Sequence, residues 1–383
     1  MLMFARLLLP FVVLQALLGL RVIARLLRTS RGTTIQTAGW QPSMFDSVSI
    51  VMPVLDERRR LGPCLNGLTD QGPEVSEILV VDGGSTDGTQ SLVEEHGAHD
   101  PRVRLLDASP IPDGWNGKAW GLQAGLDEAR SEWILTIDAD VRPEPALVRS
   151  LLAHADASGL DVLSVATRQE IHDAVEGLLH PAMLTTLVYR FGIPGGRYRR
   201  IEDVQANGQC FLARRAVLEG TGGFAAVRDS ICEDITLARQ LVEDGYEVGF
   251  FEAGDLVSVR MYPDWRATWR NWPRSLPMRD RYFGFHGVLG LAEVLLVQAL
   301  PLPLLGLTKL TRTQTRWLVP LNVGLLLTRL GILAGTARAY NHQPLTYWLS
   351  PLVDLPVALR LIASALQREH TWRGRVLVRG GDR

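Results

Sequence analysis

The sequence predicts an α/β fold with a doubly wound mixed sheet, flanked by N- and C-terminal membrane helices. The middle of the chain, residues 45–275, alternates short β-branched apolar runs with helical patterns, which is typical of parallel strands joined by helices. Both ends of the chain instead carry long apolar runs with few charges. With 383 residues and 46% hydrophobic residues, the chain is long enough for more than one domain and a sizeable core.

The composition excludes several function classes. The chain has 40 basic and 41 acidic residues, so its formal net charge of -1 argues against a nucleic-acid partner. Cys64, Cys210 and Cys232 lie far apart, without the spacing of a zinc site. We interpret them as packing residues of a protein in a reducing compartment.

The predicted strands of the middle region follow one another at short intervals. SVSIVMPV (47–54) and SEILVVD (76–82) flank the helical pattern ERRRLGPCLNGLTDQ, which makes a βαβ unit with parallel strands. RVRLLD (102–107) and WILTID (133–138) are separated by a second helical pattern, KAWGLQAGLDEAR. The later runs DVLSVAT, QCFLA and EVGFFE are predicted to add strands around a second half of the sheet.

The N-terminal segment, residues 1–30, is predicted to be a membrane anchor. Its uncharged run from Leu7 to Leu20 is short for a spanning helix, which needs about 20 residues, so an interfacial position stays an alternative. The run is followed by four basic residues, which favour a cytosolic location for the next part of the chain. These residues are Arg21, Arg25, Arg28 and Arg31.

The C-terminal region, residues 283–367, is predicted to be transmembrane because it contains three further apolar segments edged by tryptophan and tyrosine. Three full spans would place the basic tail, residues 368–383, on the far side of the membrane. Pro301 and Pro303 make the first segment, residues 287–307, a candidate re-entrant or interfacial piece, which would return the tail to the cytosol. The sequence leaves this topology open.

Acidic residues follow two of the predicted strands. Ligands of doubly wound sheets bind at the carboxyl ends of the strands, where Asp82, Asp138 and Asp140 are placed. Residues two apart on an extended chain point the same way, so the last two carboxylates converge, and a hard divalent cation would relieve their repulsion. The alternative is a solvated turn, which is the commoner interpretation of an isolated DxD pattern.

Two other stretches carry candidate polar groups. VVDGGSTDGT matches neither a P-loop nor a GxGxxG fingerprint, but Asp82 at its start could accept a hydrogen bond from a nucleobase. A plain turn before a helix is the alternative. In ICED, Glu233 and Asp234 open an amphipathic helix, whose dipole favours acids there and also suits an ionised general base.

Together these motifs resemble those of family 2 glycosyltransferases of the GT-A fold, an inverting class that uses nucleotide-diphospho-sugars. The resemblance runs from about Val48 to about Trp272. VMPVLDE (51–57) resembles the opening strand, VVDGGSTDGT the uridine-contacting turn, IDAD the metal motif and ICED the late acidic motif. The chain departs from the family at Gly83, where many relatives have a second aspartate, and at WRATWRNWPRS, where processive members have QxxRW.

The resemblance implies roles for particular residues. Asp234 is the implied catalytic base, and Asp138 and Asp140 are the implied ligands of Mg²⁺ or Mn²⁺. The donor-binding residues are predicted to be Pro53, Glu57, Asp82, Lys118 and Asp138. The residues on the acceptor or diphosphate side are predicted to be Trp115, Gly208, Gln209, Glu233, Arg270 and Trp272.

Some of these residues have a simpler interpretation. Lys118 at a helix start could neutralise a diphosphate, and Trp115 and Trp120 could stack on a sugar, but a hydrophobic bracket around a solvated lysine explains them equally well. Arg270 and Trp272 belong to a basic, aromatic stretch that could hold the leaving diphosphate or lie at the bilayer surface.

One further motif indicates a subfamily. PDGWNGKAWGLQAG (112–125) is similar to a segment of bacterial glycosyltransferases associated with carotenoid and hopanoid pathways. The resemblance implies a multi-pass enzyme of the cytoplasmic membrane with a cytosolic catalytic domain, which transfers a sugar from a UDP-sugar to a terpenoid lipid. The alternatives are a glycerolipid, ceramide-like or polyprenyl phosphate acceptor, and a non-catalytic membrane scaffold with a degenerate nucleotide-sugar-binding domain.

Overall fold

A computed structural model of the chain describes residues 2–311, 317–372 and 375–378. The helices are α1 Leu2–Thr29, α2 Arg58–Thr69, α3 Thr89–His99, α4 Gly117–Glu128, α5 Leu147–Ser158, α6 Ala174–Phe191, α7 Arg215–Gly220, α8 Glu233–Glu243, α9 Trp265–Asn271, α10 Gly284–Glu293, α11 Pro301–Thr311, α12 Leu318–Thr336, α13 Leu345–Trp348 and α14 Asp354–Leu366. The strands are β1 Val48–Val54, β2 Val75–Asp82, β3 Val103–Asp107, β4 Trp133–Ile137, β5 Val141–Pro143, β6 Val162–Ala166, β7 Arg168–Gln169, β8 Gly196–Arg197, β9 Cys210–Arg214, β10 Val248–Glu252, β11 Val257–Val259, β12 Glu369–Trp372 and β13 Arg375–Val378.

The main sheet has eight strands in the order β3-β2-β1-β4-β9-β6-β10-β8. Strand β1 pairs in parallel with both β2 and β4, whereas β9 runs antiparallel to its neighbours β4 and β6. The predicted mixed α/β sheet is therefore confirmed. The chain order reverses between β1 and β4. Because β9 runs antiparallel to β4 and β6, its first residues lie at the same edge of the sheet as the carboxyl ends of these two strands.

Apolar side chains cover both faces of this sheet. The strands β1, β2 and β4 are buried along nearly their whole length, as expected of parallel strands with helices on both sides. Helix α4 lies close to β1 because glycines face the strand. An added Cβ at Gly125 would lie 2.3 Å from Val51 Cγ1, and one at Gly121 would lie 2.9 Å from Pro53 Cβ. A small sheet, β5-β11-β7, follows the end of β4.

Helix α6 belongs to the middle region in sequence but packs with helices from the two ends of the chain. Its buried residues Leu179, Met183 and Tyr189 share one apolar cluster with residues of α1, α12 and α14. Leu325 of α12 and Leu361 of α14 are examples. The predicted boundary between a catalytic part ending at 275 and a membrane part beginning at 283 therefore does not separate two hydrophobic cores.

Among the described residues, two helices are long and apolar enough to cross a membrane, Leu9–Thr29 and Leu318–Ala339. The first is longer than the uncharged run of the sequence because Arg21 and Arg25 can both pair with Glu293 of α10, at 2.7 and 2.8 Å. Gly284–Ala299 and Pro301–Thr308 would form a third span, bent by 42° at the break between them. The break lies directly before Pro301, in the segment for which the sequence left the topology open.

The last apolar segment does not form one helix. It divides into α13 and the 13-residue α14, and Asp354 at the start of α14 is paired with Arg329 of α12 at 2.8 Å. The chain just before α13 and the end of α14 both contact the middle region. Asn341 N donates to Gln169 O at 3.0 Å, and Ser364 Oγ donates to Pro273 O. Of the basic tail, residues 373–374 and 379–383 lie outside the described residues, and β12 and β13 pair as a hairpin.

Two glycines inside helices test the packing of α4. We expect Gly125→Ala to destabilise the protein by about 1–3 kcal/mol, because the added methyl group overlaps Val51 in a closely packed core. Gly331→Ala in α12 is the matched control, since, apart from its chain neighbours and its own helix backbone, no atom lies within 4 Å of its added Cβ. We expect this control to raise stability by about 0.5–1 kcal/mol. Thermal unfolding in detergent measures both, and equal shifts would contradict the packing described here.

Candidate functional site

One cavity of about 1200 Å³ opens at the edge of the sheet where the chain order reverses. The ends of β1 and β4, the start of β9 and the first turns of α4 and α8 all contribute to its wall. The structure brings together ten of the residues that the sequence predicts for the site. They are Pro53, Glu57, Lys118, Asp138, Asp140, Gly208, Gln209, Glu233, Asp234 and Trp272.

Lys118 lies at the centre of the polar end of the cavity. Asn116 caps α4 by accepting from Lys118 N at 3.0 Å, and its amide donates to Ser230 O, which fixes the helix start against the chain before α8. The Lys118 ammonium lies 2.8 Å from Asp138 Oδ1 and 3.0 Å from Glu233 Oε1. Burial by itself would lower the pKa of Lys118, but these carboxylates raise the pKa well above its usual value.

Asp138 and Asp140 occupy the turn after β4. Burial raises the pKa of Asp138, although Lys118 opposes the rise, and burial together with Asp138 raises the pKa of Asp140 to about 7. Arg60 of α2, which the sequence did not single out, lies 3.4 Å from Asp140 Oδ2. The other oxygen, Oδ1, is buried without a hydrogen-bond partner among the described residues.

These residues fit a hard divalent cation. An unpartnered, buried carboxylate oxygen and a second carboxylate beside it are ligands of the type that Mg²⁺ and Mn²⁺ bind. Within the described ranges, however, no three His, Cys, Asp or Glu side chains are grouped to hold a metal by themselves. The two aspartates would therefore share a cation with ligands from outside the chain, such as phosphate oxygens and water.

Glu233 and Asp234 begin helix α8, as predicted. Asp234 Oδ2 accepts from Gly208 N at 2.6 Å and Oδ1 accepts from Ile235 N at 2.8 Å, so the backbone holds the carboxylate in place. Burial and the neighbouring Glu233 raise the pKa of Asp234 to about 6, while Lys118 and the two backbone donors oppose the rise. Asp234 is therefore an ionised carboxylate at neutral pH that can accept a proton.

Gly208 is required by its surroundings. An added Cβ at this position would lie 2.7 Å from Lys118 Nζ and 3.2 Å from Asp234 Oδ2. A shift of the ammonium away from such a Cβ would weaken its contacts with Asp138 and Glu233. A glycine at the start of β9 therefore lets the ammonium and the Asp234 carboxylate approach one another.

Three predicted site residues lie outside the cavity wall. Asp82 is fully buried, and its carboxylate accepts from Gly84 N, Ser85 N and the Gln90 side chain, so it shapes the turn after β2. Trp115 packs edge-to-face on Trp120, which does line the cavity, at 5.1 Å between ring centroids. Arg270 is exposed on α9. Contact of these three with a ligand stays a prediction.

The opposite wall of the cavity is apolar. Leu184, Leu187 and Val188 of α6 line it, and Trp272 lies nearby with its ring 4.5 Å from that of His180. Sequence reasoning missed α6, although its apolar run from Ala182 to Leu187 is visible as a signal. The cavity thus joins a charged end to an apolar wall whose helix packs against the candidate membrane spans α1 and α12.

Comparisons with known proteins identify a family for part of the chain and its fold. The family described as glycosyl transferase family 2 matches residues 49–222. These residues are a glycosyl transferase family 2 domain. A solved structure, the mannosyltransferase PcManGT from Pyrobaculum calidifontis in complex with GDP-Man and Mn²⁺, is similar with a TM-score of 0.56. It is 17% identical, and the match covers 94% of this chain and 96% of that one, so the GT-A fold expected of the family 2 domain is confirmed.

Curated relatives match only part of this chain and part of their own length. The probable glycosyltransferase YdaM of Bacillus subtilis (strain 168) is 25% identical over 62% of this chain and 57% of its own. The 4,4'-diaponeurosporenoate glycosyltransferase of Staphylococcus aureus (strain MRSA252) is 22% identical over 60% of each chain. The chain thus spans about three fifths of the length of these relatives.

A metal-binding measurement tests the two aspartates of the family 2 domain. We expect Asp140→Asn to weaken the binding of Mn²⁺ to the full chain in detergent by about tenfold or more, because one anionic ligand is lost. Asp156→Asn is the control, since this exposed carboxylate lies on α5, outside the cavity wall. Electron paramagnetic resonance of free Mn²⁺ measures the affinity, and equal effects of the two substitutions would argue against the site.

Proposed function

We propose that the chain is an inverting glycosyltransferase that moves a sugar from a nucleotide-diphospho-sugar, a UDP-sugar, to a hydroxyl group of a membrane lipid, a carotenoid or other terpenoid. The observation that carries this proposal is the shared cavity. A carboxylate that can act as a base, two aspartates suited to a divalent cation and an apolar wall that belongs to the membrane helices all line one space.

The charged end of the cavity suits a nucleotide diphosphate. Asp138 and Asp140 lie beside Lys118 at the point of chain reversal, where ligands of open α/β sheets bind. Pro53 and Glu57 at the end of β1 line the same space and are proposed to contact the donor. The similar mannosyltransferase holds GDP-Man, so the choice of base is part of the test.

The reaction that this arrangement supports is a single displacement at the anomeric carbon. Asp234 takes the proton of the acceptor hydroxyl while its oxygen forms a bond to that carbon. The bond from the carbon to the diphosphate oxygen breaks with its electron pair, and Lys118 stabilises the departing charge. A divalent cation on Asp138 and Asp140 would supply further positive charge there. Because attack and departure occur on opposite faces, the configuration inverts.

The apolar wall supports a lipid acceptor. Helix α6 lines the cavity with Leu184, Leu187 and Val188, and it also packs against α1, α12 and α14. A hydrophobic chain arriving from the bilayer could therefore reach the cavity without crossing water. The Staphylococcus relative bears the name of a carotenoid-type acceptor, which favours a terpenoid.

The contacts of the membrane helices support a catalytic domain and a C-terminal tail on the same side of the membrane. The chain after α1 enters the middle region, where Thr33 N donates to Gly195 O, and the chain after α12 returns to it at Gln169. Since the segment from Asn341 to Ser364 also begins and ends there, it would be re-entrant. The arginines after Leu20 favour the cytosolic side of the cytoplasmic membrane.

A transfer assay tests the function. Membranes that contain the chain are incubated with labelled UDP-sugars and, in parallel, with labelled GDP-mannose, and the lipids are extracted. We expect label in an organic-soluble terpenoid, reduced about 10²- to 10⁴-fold by Asp234→Asn, because the general base is lost. Asp229→Asn, an exposed acid of the preceding loop, is the control and should leave transfer unchanged.

The other outcomes of this assay decide between the alternatives. Label in a glycerolipid, a ceramide-like lipid or polyprenyl phosphate would replace the terpenoid acceptor. Label only in an insoluble polymer would overturn the lipid acceptor altogether. A chain that neither transfers sugar nor binds a nucleotide in the presence of metal would be a membrane scaffold.

The pH dependence of transfer tests the role of Asp234. Its carboxylate must be ionised to accept a proton, so the rate should fall as the pH drops through about 6, where it becomes protonated. In Glu233→Gln the negative charge that raises this pKa is gone, so the acid limb should move to lower pH. Glu219→Gln, an exposed acid on α7, should leave the limb in place. An unmoved limb in the Glu233 variant would argue against Asp234 as the base.

A further inference from the structure

Arg60 connects two acids of the cavity. It lies in the first turn of α2, where its Nε and Nη2 donate to the two oxygens of Glu57 at 2.8 and 2.7 Å. Its Nη1 donates to Asp140 Oδ2 at 3.4 Å and to Met261 O at 3.4 Å. The guanidinium is therefore held firmly by Glu57 and more loosely by Asp140.

Lys118 likewise connects two acids, Asp138 and Glu233. Its ammonium lies between Asp138 and Glu233, so each member of the aspartate pair faces one basic side chain that also holds a second acid. With Asp234, this linked group contains five carboxylates and only two basic side chains. Negative charge is in excess, and the basic side chains compete with any added cation for the two aspartates.

The position of Arg60 also suits a phosphate. A small divalent cation lies about 2 Å from each of its oxygen ligands, so a phosphate oxygen on a cation bound to Asp140 would lie within about 4 Å of that carboxylate. The Arg60 guanidinium lies at a comparable distance, 3.4 Å, from the same carboxylate. A guanidinium can donate two parallel hydrogen bonds to a phosphate, and its contact at Asp140 is the weaker of its two ion pairs.

We propose that Arg60 is a diphosphate-binding residue that neutralises Asp140 and turns to the donor diphosphate when a divalent cation takes its place on that carboxylate. The inference rests on the proposed function, because it assigns a residue to the donor side of the same site. Arg60 acts there together with Lys118, from the opposite side of the aspartate pair.

This role separates metal binding from nucleotide binding. If Arg60 competes with the cation for Asp140, its removal takes a positive charge away from Asp140 and Glu57 and so strengthens the binding of the metal alone. If Arg60 also binds the diphosphate, its removal weakens nucleotide binding when the metal is saturating. A side chain that merely stabilises the start of α2 would not change these two affinities in opposite directions.

The experiment uses the full chain in detergent. Mn²⁺ affinity is measured by electron paramagnetic resonance without nucleotide, and the affinities of UDP and GDP are measured by calorimetry at saturating Mn²⁺. We expect Arg60→Gln to tighten Mn²⁺ binding about threefold or more and to weaken binding of the preferred nucleotide about tenfold or more. Arg60→Lys, which keeps the charge but not the bidentate fork, should keep the Mn²⁺ affinity and lose part of the nucleotide affinity.

Arg215→Gln is the matched control, since this arginine is also paired with a carboxylate, Glu219, at 2.8 Å but lies partly exposed on α7, outside the cavity wall. Mn²⁺ binding that is weaker or unchanged in Arg60→Gln, or nucleotide binding that is unchanged, would overturn the inference while leaving the proposed function intact. If the unaltered chain binds neither Mn²⁺ nor a nucleotide, the proposed function fails, and the assignment of Arg60 fails with it.

Discussion

The ammonium group of Lys118 joins the elements on which the rest of the site depends. Its partners Asp138 and Glu233 come from the end of β4 and the start of α8, nearly a hundred residues apart in sequence. Without a cation between them, these acids and Asp234 would be like charges in a largely enclosed space, which is unfavourable. The glycine at 208 provides the room for this arrangement, so charge and backbone shape act together.

Part of the wall of the same cavity comes from a helix that packs against the candidate membrane spans α1 and α12. Helix α6 lies between β7 and β8 in sequence, yet its apolar side chains pack with α1, α12 and α14. Buried ion pairs such as Arg25 with Glu293 and Arg329 with Asp354 join the helices around it, and polar groups in such surroundings are tolerated only when they are paired. The position of the cavity relative to the candidate membrane spans α1 and α12 is thereby fixed by the core of the protein.

Much of the fold could be predicted because it depends on local patterns. The βαβ unit, the strand-end positions of Asp138 and Asp140 and the helix start at Glu233 follow from periodicity and capping. The extent of α1 did not follow, because its arginines are accommodated by Glu293, a residue more than 260 positions away. Likewise, no local signal shows that the last apolar segment is divided into two helices and comes back to the middle region. These features depend on long-range contacts, namely the ion pair of Arg329 with Asp354 and the hydrogen bond from Ser364 to Pro273 O.

By itself, the sequence determined the α/β class, the order of the motifs and the types of side chain available at the strand ends. Only the tertiary structure decided which of them meet. It placed Asp138, Asp140, Lys118 and Asp234 around one cavity, directed Asp82 into its own turn and added Arg60 and the wall of α6. The physical reason is that residue type and periodicity are properties of short stretches. Burial, ion pairing and the filling of a cavity instead depend on segments that only the folded chain brings together.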